Sequence, residues 1–285
     1  MLGFSHIHES PLVPGAMVIT IVRIKGGNTK TAKRDDEGAN PIAPAPDICE
    51  TWHFAYVVQD DGTVMPFHHT RHDGAHDESA CGRCKHRPKK GQKQNTCYVT
   101  GREMRAIYES WLNGNYVPWQ EFAPSFEQAL AWAGEGRTVR LGAYGDPVVM
   151  GHDAIVSLLS SAVDWMGYSH QWELEEFQWA KDYVMASADT PDEMAKAVLE
   201  LGWRPYTPHS PDMSTQEALT KVRSLGLKVL QCPTAKVSCS QCPIKCNGAG
   251  SAATTKHAVI TKAHGAPNIV KQYRNSEANT AWLEA

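Results

Sequence analysis

The stretch Thr138-Val-Arg-Leu-Gly-Ala-Tyr144-Gly-Asp146-Pro147 decides the predicted fold class of this chain. Its first seven residues have the apolar, β-branched and aromatic content of a strand, and Gly-Asp-Pro is typical of a turn. Residues 152–165 then show the apolar spacing of a helix. A strand, a turn and a helix in this order form one βα unit, with Asp146 where the chain leaves the strand.

The same succession recurs towards the end of the chain. Further strands are predicted at 167–172, 182–187, 203–207, 227–231 and 257–263, and helices at 126–133, 190–202 and 214–224. The helix at 190 has a strong start, because Thr190 is a capping residue, Pro191 follows it and Glu193 completes a capping box. Repeated βα units predict an α/β fold with a mainly parallel sheet. This sheet is either open or closed into a TIM-barrel-like domain, and such a domain is either complete or incomplete. Residues after 263 are predicted to form a polar tail.

The first third of the chain has a different character. Strands are predicted at 16–24 and 52–58, with a loop at 26–46, and residues 66–95 hold too few apolar side chains to pack without another source of order. A helix beginning after Thr100 starts the βα pattern. We therefore predict a β- and loop-rich region at 1–99 and a βα region at 100–285.

The composition excludes several classes of protein. Of 285 residues, 42% are hydrophobic and 21% are charged, which is typical of a globular chain and not of a disordered or fibrous one. No apolar run approaches the roughly 20 residues that cross a bilayer, and residues 1–10 lack the pattern of a secretory signal. We expect a cytoplasmic protein without membrane association. The net charge of -3 argues against a uniformly basic nucleic-acid binder.

Eight cysteines fall into two groups, and the later group predicts a metal site. Cys232, Cys239, Cys242 and Cys246 are separated by six, two and three residues. Such short gaps let the thiols converge on zinc or on an iron–sulfur cluster such as 4Fe-4S. Zinc bound by three of these thiols together with His257 or His264 is the alternative.

The earlier group predicts a second metal site. Cys81-Gly-Arg-Cys84 is a two-residue knuckle, and Cys97 supplies a third thiol. Cys49 is either the fourth ligand or a free buried thiol. The other candidates for the fourth ligand are histidines: His68, His69, His72, His76 and His86.

A basic segment surrounds the knuckle. From Cys81 to Arg105 there are eight lysines and arginines and one acidic residue, Glu103. This local charge favours contact with the phosphates of nucleic acid. The candidate nucleic-acid-binding residues are Arg83, Lys85, Arg87, Lys89, Lys90 and Lys93.

Polar residues also recur where the predicted strands end. In parallel βα folds the residues that leave the carboxyl ends of the strands form the reactive site. Asp146, His170 and Asp189 hold such positions and are the catalytic candidates. Asp189 alternatively caps the helix that follows it.

Several of these motifs together resemble a known group of proteins. The Cys81 knuckle with Cys97, Arg140-Leu-Gly-Ala-Tyr-Gly-Asp146-Pro, Gly167-Tyr-Ser-His-Gln-Trp172, Ala186-Ser-Ala-Asp-Thr190-Pro and the later cysteines are similar to cysteine-rich βα-barrel-like proteins of phages and plasmids, the gene-product-88 type. The resemblance covers residues 50–265. It implies a location in the host cytoplasm if the chain is phage-encoded.

A more remote resemblance is to the tRNA-guanine transglycosylase superfamily, including the phage branch that places 7-deazaguanines into DNA. It implies a TIM barrel with a late cysteine-rich metal site, with DNA and a small 7-deazaguanine base as partners. A strand-end aspartate would attack the sugar and expel guanine, so that Asp146 and Asp189 are the matching positions. The predicted function is accordingly a DNA base-exchange transglycosylase.

Two other classes of function stay open. One is an iron–sulfur enzyme that acts by redox or radical chemistry, because the later cysteines are soft ligands at short spacing. The other is a non-catalytic DNA-interaction protein whose metals only fasten polar loops to the fold.

Overall fold

The computed structural model describes residues 2–24, 33–34, 41–43, 48–65, 76–87, 96–97, 99, 101–233, 237, 239, 242–248 and 257–285. The strands are β1 (Gly3–Glu9), β2 (Met17–Arg23), β3 (Lys33–Arg34), β4 (Pro41–Ala43), β5 (Ile48–Tyr56), β6 (Tyr116–Pro118), β7 (Thr138–Tyr144), β8 (Asp164–Ser169), β9 (Met185–Ser187), β10 (Pro205–His209), β11 (Val229–Gln231) and β12 (Ala258–Lys262). The helices are α1 (Glu78–Cys81), α2 (Gly101–Leu112), α3 (Phe126–Gly134), α4 (His152–Leu159), α5 (Pro191–Leu199), α6 (Thr215–Ser224), α7 (Pro267–Arg274) and α8 (Glu277–Glu284), with 3-10 helices at Trp119–Glu121, Pro147–Met150 and Glu175–Asp182.

One sheet of ten strands organises the fold. Its order is β11-β12-β10-β9-β8-β7-β5-β2-β1-β6, and β3 pairs separately with β4. The seven strands from β11 to β5 run parallel, whereas β2 pairs antiparallel with both β5 and β1. The prediction of an α/β fold with a mainly parallel sheet is thus confirmed. Among the described strands the pairing does not close into a ring, so the sheet is open.

The order of the parallel strands places their connections. Apart from β6, which lies at the far edge beside β1, each strand from β5 through β7, β8 and β9 to β10 lies beside the previous one, always on the same side. Right-handed crossovers in one direction put α4, between β7 and β8, and α5, between β9 and β10, on one face of the sheet. The first hydrophobic core lies on that face and joins Val139 and Leu141 of β7 to Leu130 of α3 and Leu158 of α4.

The pairing of β5 with β7 joins the two predicted regions, 1–99 and 100–285. Cys49 and Glu50 of β5 pair with Val139 and Arg140 of β7. A second core joins β2, β5 and the end of β7 to α1 and α2. One continuous sheet therefore runs through both predicted regions.

The helix starts follow the sequence closely, whereas some ends differ. Thr190 caps α5 by accepting a hydrogen bond from the Glu193 N–H at 3.1 Å, and Ser214 caps α6 in a full capping box. The predicted helix 152–165 ends at Leu159, and the predicted strand 167–172 begins earlier, at Asp164, and ends at Ser169.

The predicted polar tail is wrong. Residues after 263 include the helices α7 and α8, and Ser276 caps α8 by accepting from the Asn279 N–H at 3.3 Å. Trp282 of α8 is fully buried in a third core with residues of β11, β12, α5 and α6. One large apolar side chain is enough to dock an otherwise polar helix.

No helix in the described part of the chain is both long and apolar enough to cross a membrane.

The buried His53 gives the fold a predictable response to acid. It lies fully buried on β5, where Nδ1 meets Thr20 Oγ1 at 3.0 Å and Nε2 meets Thr51 Oγ1 at 3.2 Å. Burial lowers the pKa of His53 from 6.5 to about 3, and the nearby His8 adds to this effect. Between these values the unfolded chain binds a proton that the folded chain does not. The free energy of unfolding should therefore fall below pH 6.5 by about 1.4 kcal/mol per pH unit.

Urea unfolding at pH 7.5 and pH 5.5 tests this response. His53→Gln should lose roughly 1.4 kcal/mol less than the wild type over that interval, because it removes one group that titrates only in the unfolded chain. His264→Gln is the matched control, since His264 is exposed. An equal loss in the wild type and in His53→Gln would contradict the prediction.

Candidate metal centre

Three neighbouring parallel strands end at one edge of the sheet, and the catalytic candidates follow them. Asp146 comes after β7, His170 after β8 and Asp189 after β9. The knuckle, residues 81–84, lies over this edge: the Asp146 N–H donates to the Ala80 carbonyl at 2.8 Å, and Gln171 Nε2 donates to the Cys81 carbonyl at 3.1 Å. The fold thus brings the earlier cysteines to the carboxyl ends of the strands.

Two histidines and an aspartate converge at this edge. One ligand atom each of His86, His170 and Asp189 lies within 4.8 Å of the other two, and we call these residues the carboxyl-edge group. His86 Nε2 is 2.8 Å from Asp189 Oδ1, and the two imidazole rings meet edge to face at 5.5 Å between centroids. Two imidazoles and a carboxylate are suited to zinc or to iron.

Charge holds the carboxyl-edge group together. Burial opposes the charged form of both groups, yet the pKa of His86 is raised and that of Asp189 is lowered, because each stabilises the charge of the other. His86 Nδ1 contacts Thr96 Oγ1 at 2.5 Å, which orients the ring. The alternative role of Asp189 as a helix cap is not observed, since Thr190 is the capping residue and the Asp189 side chain turns to His86.

Cys84 is the thiol nearest to this group. Its Sγ lies 3.7 Å from His170 Nε2, and His86 and Asp189 both influence its pKa. Burial raises the pKa of Cys84 and of Cys81. In the described residues the one set of three ligand atoms within 4.8 Å is the carboxyl-edge group, while Cys84 and Cys97 both influence the pKa of Cys81. A site of Cys81, Cys84 and Cys97 therefore stays a prediction.

The candidates for the fourth ligand of the earlier cysteine site lie in different parts of the structure. Cys49 is fully buried in the first core at the amino end of β5, where burial raises its pKa to about 12. It behaves as a core thiol and not as a ligand of this edge. His86 joins the carboxyl-edge group, and His68, His69 and His72 lie outside the described residues.

Asp146 lies at the predicted position but offers no free oxygen. Oδ1 accepts from the Val148 N–H at 3.2 Å and from the Ser169 hydroxyl at 2.8 Å, and Oδ2 accepts from the His170 N–H at 2.7 Å and from Gln171 Nε2 at 3.1 Å. The residue is 4% exposed. Burial raises the pKa of this carboxyl, while the four donors oppose the rise by favouring its ionised form. Asp146 positions the backbone that carries His170.

Gln171 follows His170 at the end of β8 and has a structural role. Its Oε1 accepts from the Arg83 N–H at 3.2 Å, while Nε2 bonds to Asp146 and to the Cys81 carbonyl. Gly82 has a φ of 52°, and a Cβ there would lie 2.5 Å from Gln171 Oε1. The glycine of the knuckle is thus required by the approach of this amide. An isolated glutamine after a strand gives no sequence signal for such a clamp.

The later cysteines, Cys232, Cys239, Cys242 and Cys246, form the C-terminal cysteine group at a different place. Cys232 continues from β11, where its N–H donates to the Ile260 carbonyl at 2.8 Å. The Cys246 carbonyl accepts from the Gly167 N–H of β8 at 3.1 Å, and its thiol accepts a hydrogen bond from Tyr168. Cys239, Cys242 and Cys246 influence one another electrostatically. The four donors suit a metal–thiolate centre.

A histidine alternative for the C-terminal cysteine group also has structural context. The His257 carbonyl accepts from Arg204 Nε at 3.0 Å, and His257 Nδ1 is buried without a hydrogen-bond partner in the described residues. His264 is exposed, and its Nδ1 lies 2.8 Å from the Lys262 carbonyl. His257 is therefore the better placed of the two.

The basic segment is partly neutralised by neighbouring acids. Lys85 pairs with Glu193, and Arg87 lies 3.4 Å from a Glu78 carboxylate oxygen while its Nε donates to the Gly82 carbonyl at 3.0 Å. Arg83 is exposed. Lys89, Lys90 and Lys93 lie outside the described residues.

A cleft of about 270 Å³ lies beside the knuckle, and no residue of the carboxyl-edge group lines it. Its walls include Arg83 and Gln171, which are the chain neighbours of Cys84 and His170, and the apolar side chains of Leu12, Leu174 and Phe177. Glu78 and Glu176 also line it, so the walls carry two acids and one cation.

The chain matches no protein-family model, no curated protein and no solved structure.

Proposed function

We propose that this chain is a metal-dependent enzyme that modifies nucleic acid and that the carboxyl-edge group is its reaction centre. The observation that carries the proposal is the convergence of His86, His170 and Asp189, which come from three separate segments, within 4.8 Å. Reactive residues concentrate at this edge in parallel βα folds. Imidazole, carboxylate and thiolate donors in one place are a chemically coherent set for a divalent ion.

The side chains have distinct roles in this proposal. His86, His170 and Asp189 would hold the ion, with Cys84 as the nearest further donor. A divalent ion supplies Lewis-acid chemistry when bound. Asp146 fixes the His170 backbone, Thr96 fixes the His86 ring, and Gln171 clamps the knuckle over the edge. The ligands are thus oriented by a second layer of hydrogen bonds.

The basic segment supports nucleic acid as the substrate class. Arg83 is an exposed cation within the knuckle, and exposed cations of this kind contact phosphate. The resemblance to phage proteins points the same way.

Base exchange through a covalent sugar intermediate is the less favoured chemistry. It needs a carboxylate with a free oxygen, and each Asp146 oxygen already accepts two hydrogen bonds. Asp189 is 3% exposed and pairs with His86. We therefore propose metal-assisted chemistry in place of nucleophilic attack by Asp146.

A TIM-barrel-like origin of the sheet is a further proposal. Once β6 is set aside, the five parallel strands β5, β7, β8, β9 and β10 lie side by side in chain order, as strands do around a barrel.

The proposed function is tested by an assay that detects any modification or cleavage of a nucleic-acid strand. The purified chain is loaded with Zn²⁺, Mn²⁺ or Fe²⁺ and incubated with DNA and RNA oligonucleotides, and the strands and their digested nucleosides are analysed by mass spectrometry. We expect a changed base or a cleaved strand in at least one combination. Asp189→Asn should reduce this product by at least roughly 100-fold, because it removes a charged ligand.

The matched control is Asp192→Asn, an exposed aspartate three positions further along the chain. It should retain wild-type activity. A metal-loaded wild type that leaves every oligonucleotide unchanged would exclude nucleic-acid modification and favour the non-catalytic interaction protein. Equal activity in the wild type and Asp189→Asn would exclude the carboxyl-edge group as the reaction centre.

A further inference from the structure

The segment that carries the last two cysteines is firmly docked on the sheet. Lys245 Nζ lies 2.5 Å from Asp164 Oδ2 at the start of β8, and Lys245 has a φ of 51°, the left-handed conformation that side chains rarely adopt. A Cβ on Gly248 would lie 2.4 Å from the backbone of residues 181–183. Strong local contacts therefore hold residues 242–248 in one arrangement.

The principal anchor of this segment is a buried arginine. Arg204 is 2% exposed, and its guanidinium donates to the carbonyls of Ile244 at 2.8 Å, of Asn247 at 3.2 Å and of Lys245. Within the described residues no carboxylate forms an ion pair with it. A buried cation whose partners are neutral carbonyls lacks the charge compensation that buried arginines usually have.

The loop that Arg204 holds carries the thiols of Cys242 and Cys246. Burial lowers the pKa of Arg204, and negative charge on Cys246, on Tyr168 and on Cys242 opposes this change. Burial also raises the pKa of the Cys246 thiol to about 11, although the Tyr168 hydroxyl donates a hydrogen bond to it. Cysteines bind a metal as thiolates and not as thiols. Metal binding converts them to thiolates and creates the anion that Arg204 lacks.

The spacing of the thiols favours a cluster over a single ion. Four sulfurs around one Zn²⁺ with bonds of about 2.3 Å lie roughly 3.8 Å apart. Cys239, Cys242 and Cys246 are separated by two and three residues, and such short gaps are typical of cluster-binding cysteines. An iron–sulfur core contains several metal atoms and spans a wider gap.

We propose that the C-terminal cysteine group holds an iron–sulfur cluster, that Arg204 is its buried counter-charge, and that Tyr168 donates a hydrogen bond to its Cys246 ligand. Thiolates outnumber the positive charges of such a core, so the centre is an anion. Arg204 neutralises part of that charge and fixes the loop through its carbonyls. A nearby cation and a hydrogen bond to sulfur both favour the reduced cluster, because reduction adds negative charge.

Anaerobic purification of the full chain tests the proposal. Iron and acid-labile sulfide are quantified, absorption near 400 nm is recorded, and the reduction potential is measured by titration with a reductant. Sulfide distinguishes a cluster from iron bound at the carboxyl-edge group. We expect a coloured wild type with sulfide, an Arg204→Met variant that loses most of its cluster or has a more negative potential, and an Arg204→Lys variant closer to the wild type.

Arg223→Met is the matched control, because Arg223 is exposed on α6 and should leave the cluster unchanged. Zinc without sulfide in the wild type would overturn the cluster. Unchanged sulfide and potential in Arg204→Met would overturn the role of Arg204. If Arg204→Met does not fold, Tyr168→Phe decides: a retained cluster with a more negative potential supports the proposal, and an unchanged potential contradicts it.

Discussion

Asp146→Ala should lower the free energy of unfolding by about 3–5 kcal/mol. The substitution leaves two backbone N–H groups, the Ser169 hydroxyl and the Gln171 amide without the acceptor that they share. Each unsatisfied buried donor costs roughly 1–3 kcal/mol, and the sum is reduced by relaxation of the loop. Urea unfolding at pH 7.5 measures the change.

The stability of Asp146→Asn tests whether both carboxylate oxygens are needed as hydrogen-bond acceptors. Both Asp146 oxygens accept two hydrogen bonds, so Asp146→Asn places an NH₂ group against donors and should be nearly as unstable as the alanine variant. Asp153→Asn on α4 is the control, because the Asp153 side chain is 98% exposed and should change stability by less than about 0.5 kcal/mol. An Asp146→Ala protein as stable as the wild type would show that the carboxylate has no positioning role.

The sequence predicts the position of Asp146 but not its hydrogen-bond partners. Its place after an apolar strand follows from local periodicity and turn chemistry, and the structure has it there at the end of β7. Three of its four hydrogen bonds come from residues 23 to 25 positions away, at the end of the neighbouring strand. Local pattern therefore predicts the position of the carboxylate but not that its oxygens are occupied.

The carboxyl-edge group depends even more on tertiary packing. His86 and Asp189 are 103 residues apart, and they meet because the knuckle folds over the strand ends. Cysteine spacing predicted a thiol site here, since short gaps are visible in sequence, whereas the convergence of distant histidines and an aspartate is not. His170 and Asp189 were identified as strand-end residues, and His86 as one of several candidate ligands.

The burial of Arg204 and of Trp282 could not be predicted from the local sequence. Arg204 lies at the start of β10 in a segment where an arginine would normally be exposed, and only the docked cysteine loop makes it buried. Trp282 lies in a polar stretch, although the capping residue Ser276 before it was a readable helix signal. Both side chains are buried by contacts that no local window contains.

His170→Ala should reduce the affinity of the carboxyl-edge group for a divalent ion by at least roughly 100-fold. It removes one of three donors that lie within 4.8 Å of one another, and two remaining donors bind an ion far more weakly. Titration with Co²⁺ measures the affinity, because its visible spectrum reports the ligand set. Cys84→Ser should retain most of the affinity but lose any thiolate-to-cobalt absorption, since Cys84 Sγ lies 3.7 Å from His170 Nε2.

His152→Ala is the matched control for the titration. His152 is about half exposed, lies at the start of α4 and contacts Asp153, so its removal should leave Co²⁺ binding unchanged. The C-terminal cysteine group is kept in its purified, anaerobic state, so that added Co²⁺ reports the carboxyl-edge group alone. Equal affinity in His170→Ala and the wild type would mean that the ion binds elsewhere, and the edge-to-face imidazoles of His86 and His170 would then have a packing role.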